Sequence, residues 1–204
     1  TKNQIIKAGT LIMLGHKIKD ILKDTDYLSS KTNKIAVKKA IFPWSRFPAE
    51  DTMLGPEMKA TGEVLGIGSK LGIALNKAYA AAGVEIGVKQ QGIFITLSDE
   101  DKNKFLKTIR KYKDLKFKIY ATEGTSEFLS KNNIESIKVG RADDEAPTSL
   151  TIMEKDLISV VINTPTFANE YTDGWKIRRL AHDSGVAVVS SVREAEAFIE
   201  AYVE

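Results

Sequence analysis

The sequence predicts an α/β protein: a five-stranded parallel sheet flanked by helices, preceded by an irregular α+β stretch. Three observations carry this. From residue 92 onward short apolar runs recur, each followed by an amphipathic segment of helical length, the pattern of parallel strands covered on both faces. Up to about Val88 that rhythm is absent, and most prolines and many glycines collect there, as in "TMLGPEMKATGEVLGIG". The chain of 204 residues is 43% hydrophobic and 28% charged, enough apolar material for a sizeable core. The expected division is residues 1–88 and 89–204.

In chain order, "SKLGIALNKAYAAAG" has helical composition and ends at Gly83, a C-terminal cap. The glycines at 62, 66, 68 and 72 do not follow G-x-G-x-x-G spacing, so they read as turns and bulges and not as a dinucleotide fingerprint. "GIFITLS" is the first buried strand. Ser98 then caps a helix with Phe105, Leu106, Ile109 and Tyr112 on one face. Strand "FKIYAT" and helix "TSEFLSKNN" follow, then the short "SIKVG". After "TSLTIMEKD" come the strand "LISVVIN", the helix "WKIRRLAHDSG" and the strand "VAVVSS". The last helix, "VREAEAFIEAYV", places Val192, Ala195, Ile199, Tyr202 and Val203 on one face.

Charge and composition exclude several functions. The net charge is +3, but the lysines alternate with acids, as in "SDEDKNKFLKTIRKYKDLKFK", which describes a solvated helix face; no nucleic-acid partner is expected. The absence of cysteine removes thiolate chemistry and disulfides. No run approaches a membrane span, and the expected setting is cytoplasmic, without membrane association. A chain that begins at Thr1 is expected to be a piece of something longer. His16 and His182, the only histidines, fall on helical segments and read as surface residues. Asp143 and Asp144 in "RADDE" read as a solvated loop, and Arg178 and Arg179 as a salt-bridged surface pair on a helix, with the alternative that one of them faces the ligand edge.

Open parallel sheets bind ligands at the carboxyl ends of their strands, where loops converge and helix N-termini point outward. The strand ends here supply Ser98, Lys102, Thr122, Thr125, Arg141, Asn163, Thr164 and Thr166. Hydroxyls, two cations and an amide beside helix starts suit a phosphate or a carboxylate. In "YATEGT" the expectation is an anion cradle of Thr122, Gly124 and Thr125. Each such loop taken alone reads as an ordinary helix cap.

Two segments carry a resemblance. "AVKKAIFPWSRFPAEDTMLGPEMKATGEVLGIG" resembles the end of the second ATP-grasp unit of the carbamoyl phosphate synthase large chain. "GIFITLSDEDK" through "YATEGT", "VINTPT" and "KIRRLA" resembles the methylglyoxal-synthase-like allosteric domain that ends that chain. The resemblance implies a parent ligase that makes carbamoyl phosphate from bicarbonate, ammonia from a glutaminase small chain, and two ATP with magnesium, for arginine or pyrimidine synthesis. It also implies that this stretch is catalytically silent by itself, with no cofactor of its own, and partners the remainder of the large chain. The family's effector, UMP, or IMP in some members, would have its phosphate held by Lys102, Thr122, Thr125, Arg141, Asn163 and Thr164. Departures are Pro165, which replaces a threonine, and Lys39 and Val188, which replace a glutamate and a tyrosine near the family's ornithine site; no ornithine activation is expected. The competing readings are a free-standing lyase resembling methylglyoxal synthase, and an interaction module without ligand.

Overall fold

The computed structural model describes residues 5–21, 33–53, 61–86, 92–140, 147–155, 157–164 and 172–203. The chain divides into two compact units, Thr1–Asn33 and Lys34–Glu204. The boundary expected at residue 88 falls outside the described residues. In the first unit lie α1 (Ile5–Met13) and α2 (Ile18–Ile21). His16 sits in the exposed connection between them and not on a helix as expected, because the turn at Leu14 and Gly15 closes α1 first.

The second unit opens with an antiparallel pair, β1 (Ile35–Ala40) and β2 (Glu63–Gly68), in register from Ile35 opposite Gly68 to Ala40 opposite Glu63. Between them a 3-10 turn at Trp44–Arg46 buries the Trp44 indole. Helix α3 (Leu71–Ala81) lies directly on β2. Gly66 and Gly68 are the reason, and here the expectation of turns and bulges is corrected. A Cβ on Gly66 would stand 2.0 Å from the Ala74 carbonyl oxygen, and one on Gly68 2.7 Å from the Ala74 nitrogen. These are close-approach glycines, where strand and helix backbones touch.

The parallel sheet comprises β3 (Gly92–Thr96), β4 (Lys118–Thr122), β5 (Ile137–Val139), β6 (Val160–Asn163) and β7 (Ala187–Val189), in the spatial order β5-β4-β3-β6-β7. All neighbours are parallel, as the alternation of apolar runs predicts. Connecting helices are α4 (Asp99–Asp114), α5 (Glu123–Lys131), α6 (Ser149–Glu154), α7 (Asp173–Asp183) and the terminal α8 (Val192–Val203). "TSLTIMEKD" thus contains α6, whose start is fixed by a reciprocal pair: Thr148 Oγ1 accepts from the Thr151 amide, and Thr151 Oγ1 accepts from the Thr148 amide.

Period-two alternation sorts the core into two clusters. Ile93, Ile95, Ile119, Ala121, Val160 and Ile162 face α4, α5 and α8, while Phe94, Tyr120 and Val161 face α6 and α7. On α8 the buried stripe is Ala195, Phe198 and Ala201, with Ile199 and Tyr202 partly covered. Val203, expected on that face, is exposed at 64%. The stripe shifts because α8 also receives α3: Tyr79 meets Phe198 edge-on at 4.9 Å, and the Gly72 backbone abuts Glu200 and Ala201. Among the described residues no helix is long and apolar enough to cross a membrane.

Candidate functional site at the carboxyl edge of the parallel sheet

The strand order reverses between β3 and β6, which leave the sheet side by side with Thr96 opposite Asn163. At such a reversal the loops diverge and open a crevice at the carboxyl ends. Beyond it the Ser98 amide donates to Thr164 Oγ1 at 2.8 Å, and Ser98 Oγ donates to Asp101 Oδ2 at 2.8 Å. Ser98 occupies the N-cap position of α4, but its hydroxyl does not cap the backbone.

The same holds for Thr122 at the start of α5. Its hydroxyl donates to Thr125 Oγ1 at 3.3 Å and caps no backbone amide. At α6 and α7, by contrast, Thr148 and Thr172 do accept from helix amides. The first turn of α5 therefore lacks a side-chain cap, and the amides that open a helix carry partial positive charge. Lys102 lies above this turn: a Cβ on Gly124 would stand 3.6 Å from Lys102 Nζ. Lys102 has 15% of its side-chain surface exposed and bonds Asp99 Oδ1 at 2.5 Å. The Lys102 hydrogen bond and charge hold the Asp99 carboxyl below the usual carboxylate range.

Thr125 is placed differently from the expected cradle. It is 1% exposed, and its oxygen accepts from the Leu97 amide at 3.1 Å as well as from Thr122. Thr164 and Asn163 are likewise buried, at 7% and 1%. Asn163 Oδ1 accepts from Arg178 Nη1 at 2.6 Å. Arg178, itself 4% exposed, donates through Nε to Asp51 Oδ1 at 2.9 Å and through Nη2 to Asp51 Oδ2. Burial raises the Asp51 carboxyl, but the Arg178 hydrogen bond, the amides of Met53 and Thr52 and the Arg178 charge outweigh it, and the group sits below its usual range. Arg141 and Thr166, like Pro165, lie outside the described residues, as do Asp143 and Asp144.

A cavity of about 1000 Å³ opens over the ends of β4 and β5, lined by Thr122, Glu123 and Gly124 on one side and by Lys138, Lys176 and Leu180 among others. Lys138 bonds Glu123, both of them lining the cavity, and Lys176 stands 3.8 Å from Asp173. These two lysines were not singled out in the sequence. Lys138 could have been, since alternation along "SIKVG" turns it away from the buried Val139, but a lone exposed lysine carries no signal by itself. Asp51 could not have been, because 127 residues separate it from Arg178. Among the described residues no group of three or more His, Asp or Glu converges on a point where a metal ion could sit.

Comparison with known proteins adds the following. The MGS-like domain model matches residues 104–190. The chain is 33% identical over 210 aligned residues to the carbamoyl phosphate synthase large chain, C-terminal section, of Aquifex aeolicus (strain VF5), covering 97% of this chain and 39% of that protein. It is 37% identical to the carbamoyl phosphate synthase large chain of Archaeoglobus fulgidus, covering 97% of this chain and 18% of that one. With the C-terminal section from Methanocaldococcus jannaschii it shares 35% identity, over 97% of this chain and 33% of the relative. The chain thus spans well under half the length of these curated relatives.

Proposed function

We propose, on the premise that this chain belongs to the carbamoyl phosphate synthase large-chain family, that it is the regulatory end of such a ligase and binds a nucleotide monophosphate of the UMP type at the carboxyl edge of its sheet. Residues 1–88 would be the closing part of the ATP-grasp domain, and residues 89–204 the MGS-like effector domain. The relatives favour this reading over a free-standing lyase, since they match the chain over nearly its whole length, the segment before the sheet included.

One observation carries the reading: the α5 N-terminus without a side-chain cap faces a cavity large enough for a nucleotide, with Lys102 held above Gly124. In the proposed complex the phosphate sits against the first-turn amides of α5 and draws Lys102 from Asp99. The Thr122 hydroxyl turns from Thr125 toward the phosphate, and Ser98, Asn163, Thr164, Arg141 and Thr166 complete the shell. Thr125 acts behind it, fixing β3 to α5 through the Leu97 amide. The ribose and base lie over Leu150, Ile177 and Leu180. Carbamoyl phosphate synthesis itself, with ATP, magnesium and glutamine-derived ammonia, belongs in this proposal to the remainder of the large chain and to a glutaminase small chain.

The test is the thermal midpoint with and without millimolar UMP and IMP, in the wild type and in Lys102→Ala. A ligand at a hundred times its dissociation constant adds about 2.7 kcal/mol, or roughly 5–10 °C for a chain of this size. The expected result is a shift with UMP that Lys102→Ala abolishes. No shift with either nucleotide overturns the reading.

A further inference from the structure

Arg178 is a buried cation on α7 that the strand-end cradle does not need for a direct contact, yet it bonds one of the cradle's residues on one side and the β1–β2 connection on the other. Arginine carries no acceptor, so the Asn163 atom facing Nη1 must be the carbonyl oxygen. The Asn163 NH2 group then lies over the first turn of α7, where a Cβ on Gly174 would stand 3.5 Å from Nδ2 and 3.3 Å from Arg178 Nη1. The guanidinium is fixed in turn by Asp51, whose two oxygens take Nε and Nη2 in a fork. Asp51 is held by the Met53 amide at 3.0 Å, immediately ahead of "LGPEMKA".

From this chain of contacts, and resting on the nucleotide reading above, we infer that Asp51 and Arg178 are positioning residues for the effector site: they fix Asn163 as a donor toward the carboxyl edge and link its occupancy to the loop that leads into residues 54–60. A phosphate oxygen drawing on the Asn163 NH2 group tightens the Arg178 bond to Oδ1 and, through the fork, the hold on Asp51. Linkage works in both directions, so a change that loosens Asp51 must weaken the nucleotide.

The experiment uses the 204-residue chain, with Asp51→Asn to keep the shape and remove the charge, and Arg178→Lys to keep the charge and remove the fork. Two readouts are taken: the Asn163 side-chain amide signals by NMR without nucleotide, and the dissociation constant for UMP. The expected results are that both variants shift the Asn163 amide signals and weaken UMP by roughly five- to twenty-fold, near the low end of coupling between linked sites. UMP should also slow amide hydrogen exchange at residues 51–53 in the wild type. If Asp51→Asn leaves the Asn163 signals unmoved, the inference falls whether or not UMP binds. If the signals move but UMP binds as tightly as before, the link to the ligand falls. If the wild type binds neither UMP nor IMP while the signals still move, the nucleotide reading falls and the Asp51–Arg178 hold on Asn163 stands.

Discussion

At the residue scale, Lys102 is already partnered by the Asp99 carboxylate, with which the phosphate of the proposed complex would compete. Asp99 is almost wholly exposed, so its pair with Lys102 is the weak kind that solvent screens. Asp99→Asn should therefore tighten UMP by about two- to five-fold at low salt, the range such exposed pairs are worth, and titration calorimetry at two ionic strengths would show it. Asp51 gives a pH signature. Its folded-state pKa lies below the unfolded value, so the stability it contributes is present above the unfolded value near 3.8 and is lost as pH falls through the folded one. In urea melts followed by circular dichroism, wild-type stability should fall as pH drops below the unfolded value near 3.8, whereas Asp51→Asn should start lower at neutral pH and lack that fall. Which of these roles the sequence could show depends on reach. The i,i+3 spacing placed Thr122 and Thr125 together, but only the burial of Thr125 against Leu97 distinguishes the outward hydroxyl from the inward one.

At the scale of elements, four helices of the second unit end in the same way among the described residues. Gly83, Lys116, Asn133 and Gly185 have positive φ, and the next residue in each case donates back to the carbonyl five residues earlier: Val84 to Tyr79, Phe117 to Tyr112, Ile134 to Leu129, Val186 to Ala181. Two of these ends were legible from their glycines. The other two were not, because lysine and asparagine give no comparable signal. Lys116, at φ 66°, bears a steric cost that glycine avoids. Lys116→Gly should raise stability in urea by about 0.5–1 kcal/mol. Gly66→Ala should do the opposite, losing about 2 kcal/mol or more, since its methyl group meets the backbone of α3. The strands were legible because apolar runs of four to seven residues separate cleanly from charged helices such as α4. Their spatial order was not, since alternation says nothing of which neighbour a strand chooses. The glycines of β2 were misread for a related reason: a close backbone contact and a turn both select glycine.

For the molecule as a whole, the region from Lys34 onward behaves as one body. Tyr79 and Phe198, from helices more than a hundred residues apart, share one core cluster with β3 and β6, and Asn76 Nδ2 donates to the Ala201 carbonyl at 2.8 Å. Phe198→Ala should cost about 3–5 kcal/mol, and it should lower the unfolding midpoints seen by Trp44 and Trp175 fluorescence together. Separate transitions at the two tryptophans would show two independent layers. Gly92 bears on the same point. The junction ahead of β3 is a natural place for a hinge, yet a Cβ on Gly92 would stand 1.9 Å from the Leu157 carbonyl oxygen, so this glycine belongs to the packed strand.

The backbone contacts of α3 restrict how the molecule can respond to a ligand. Packed helices commonly adjust by sliding a little past one another, each side chain moving within its groove. Sliding needs a cushion of side chains, and α3 has none at Gly66 and Gly68 on one flank or at Gly72 on the other. Any displacement that reaches this layer from the sheet must cross it as a tilt of β2, α3 and α8 moving as a single lever.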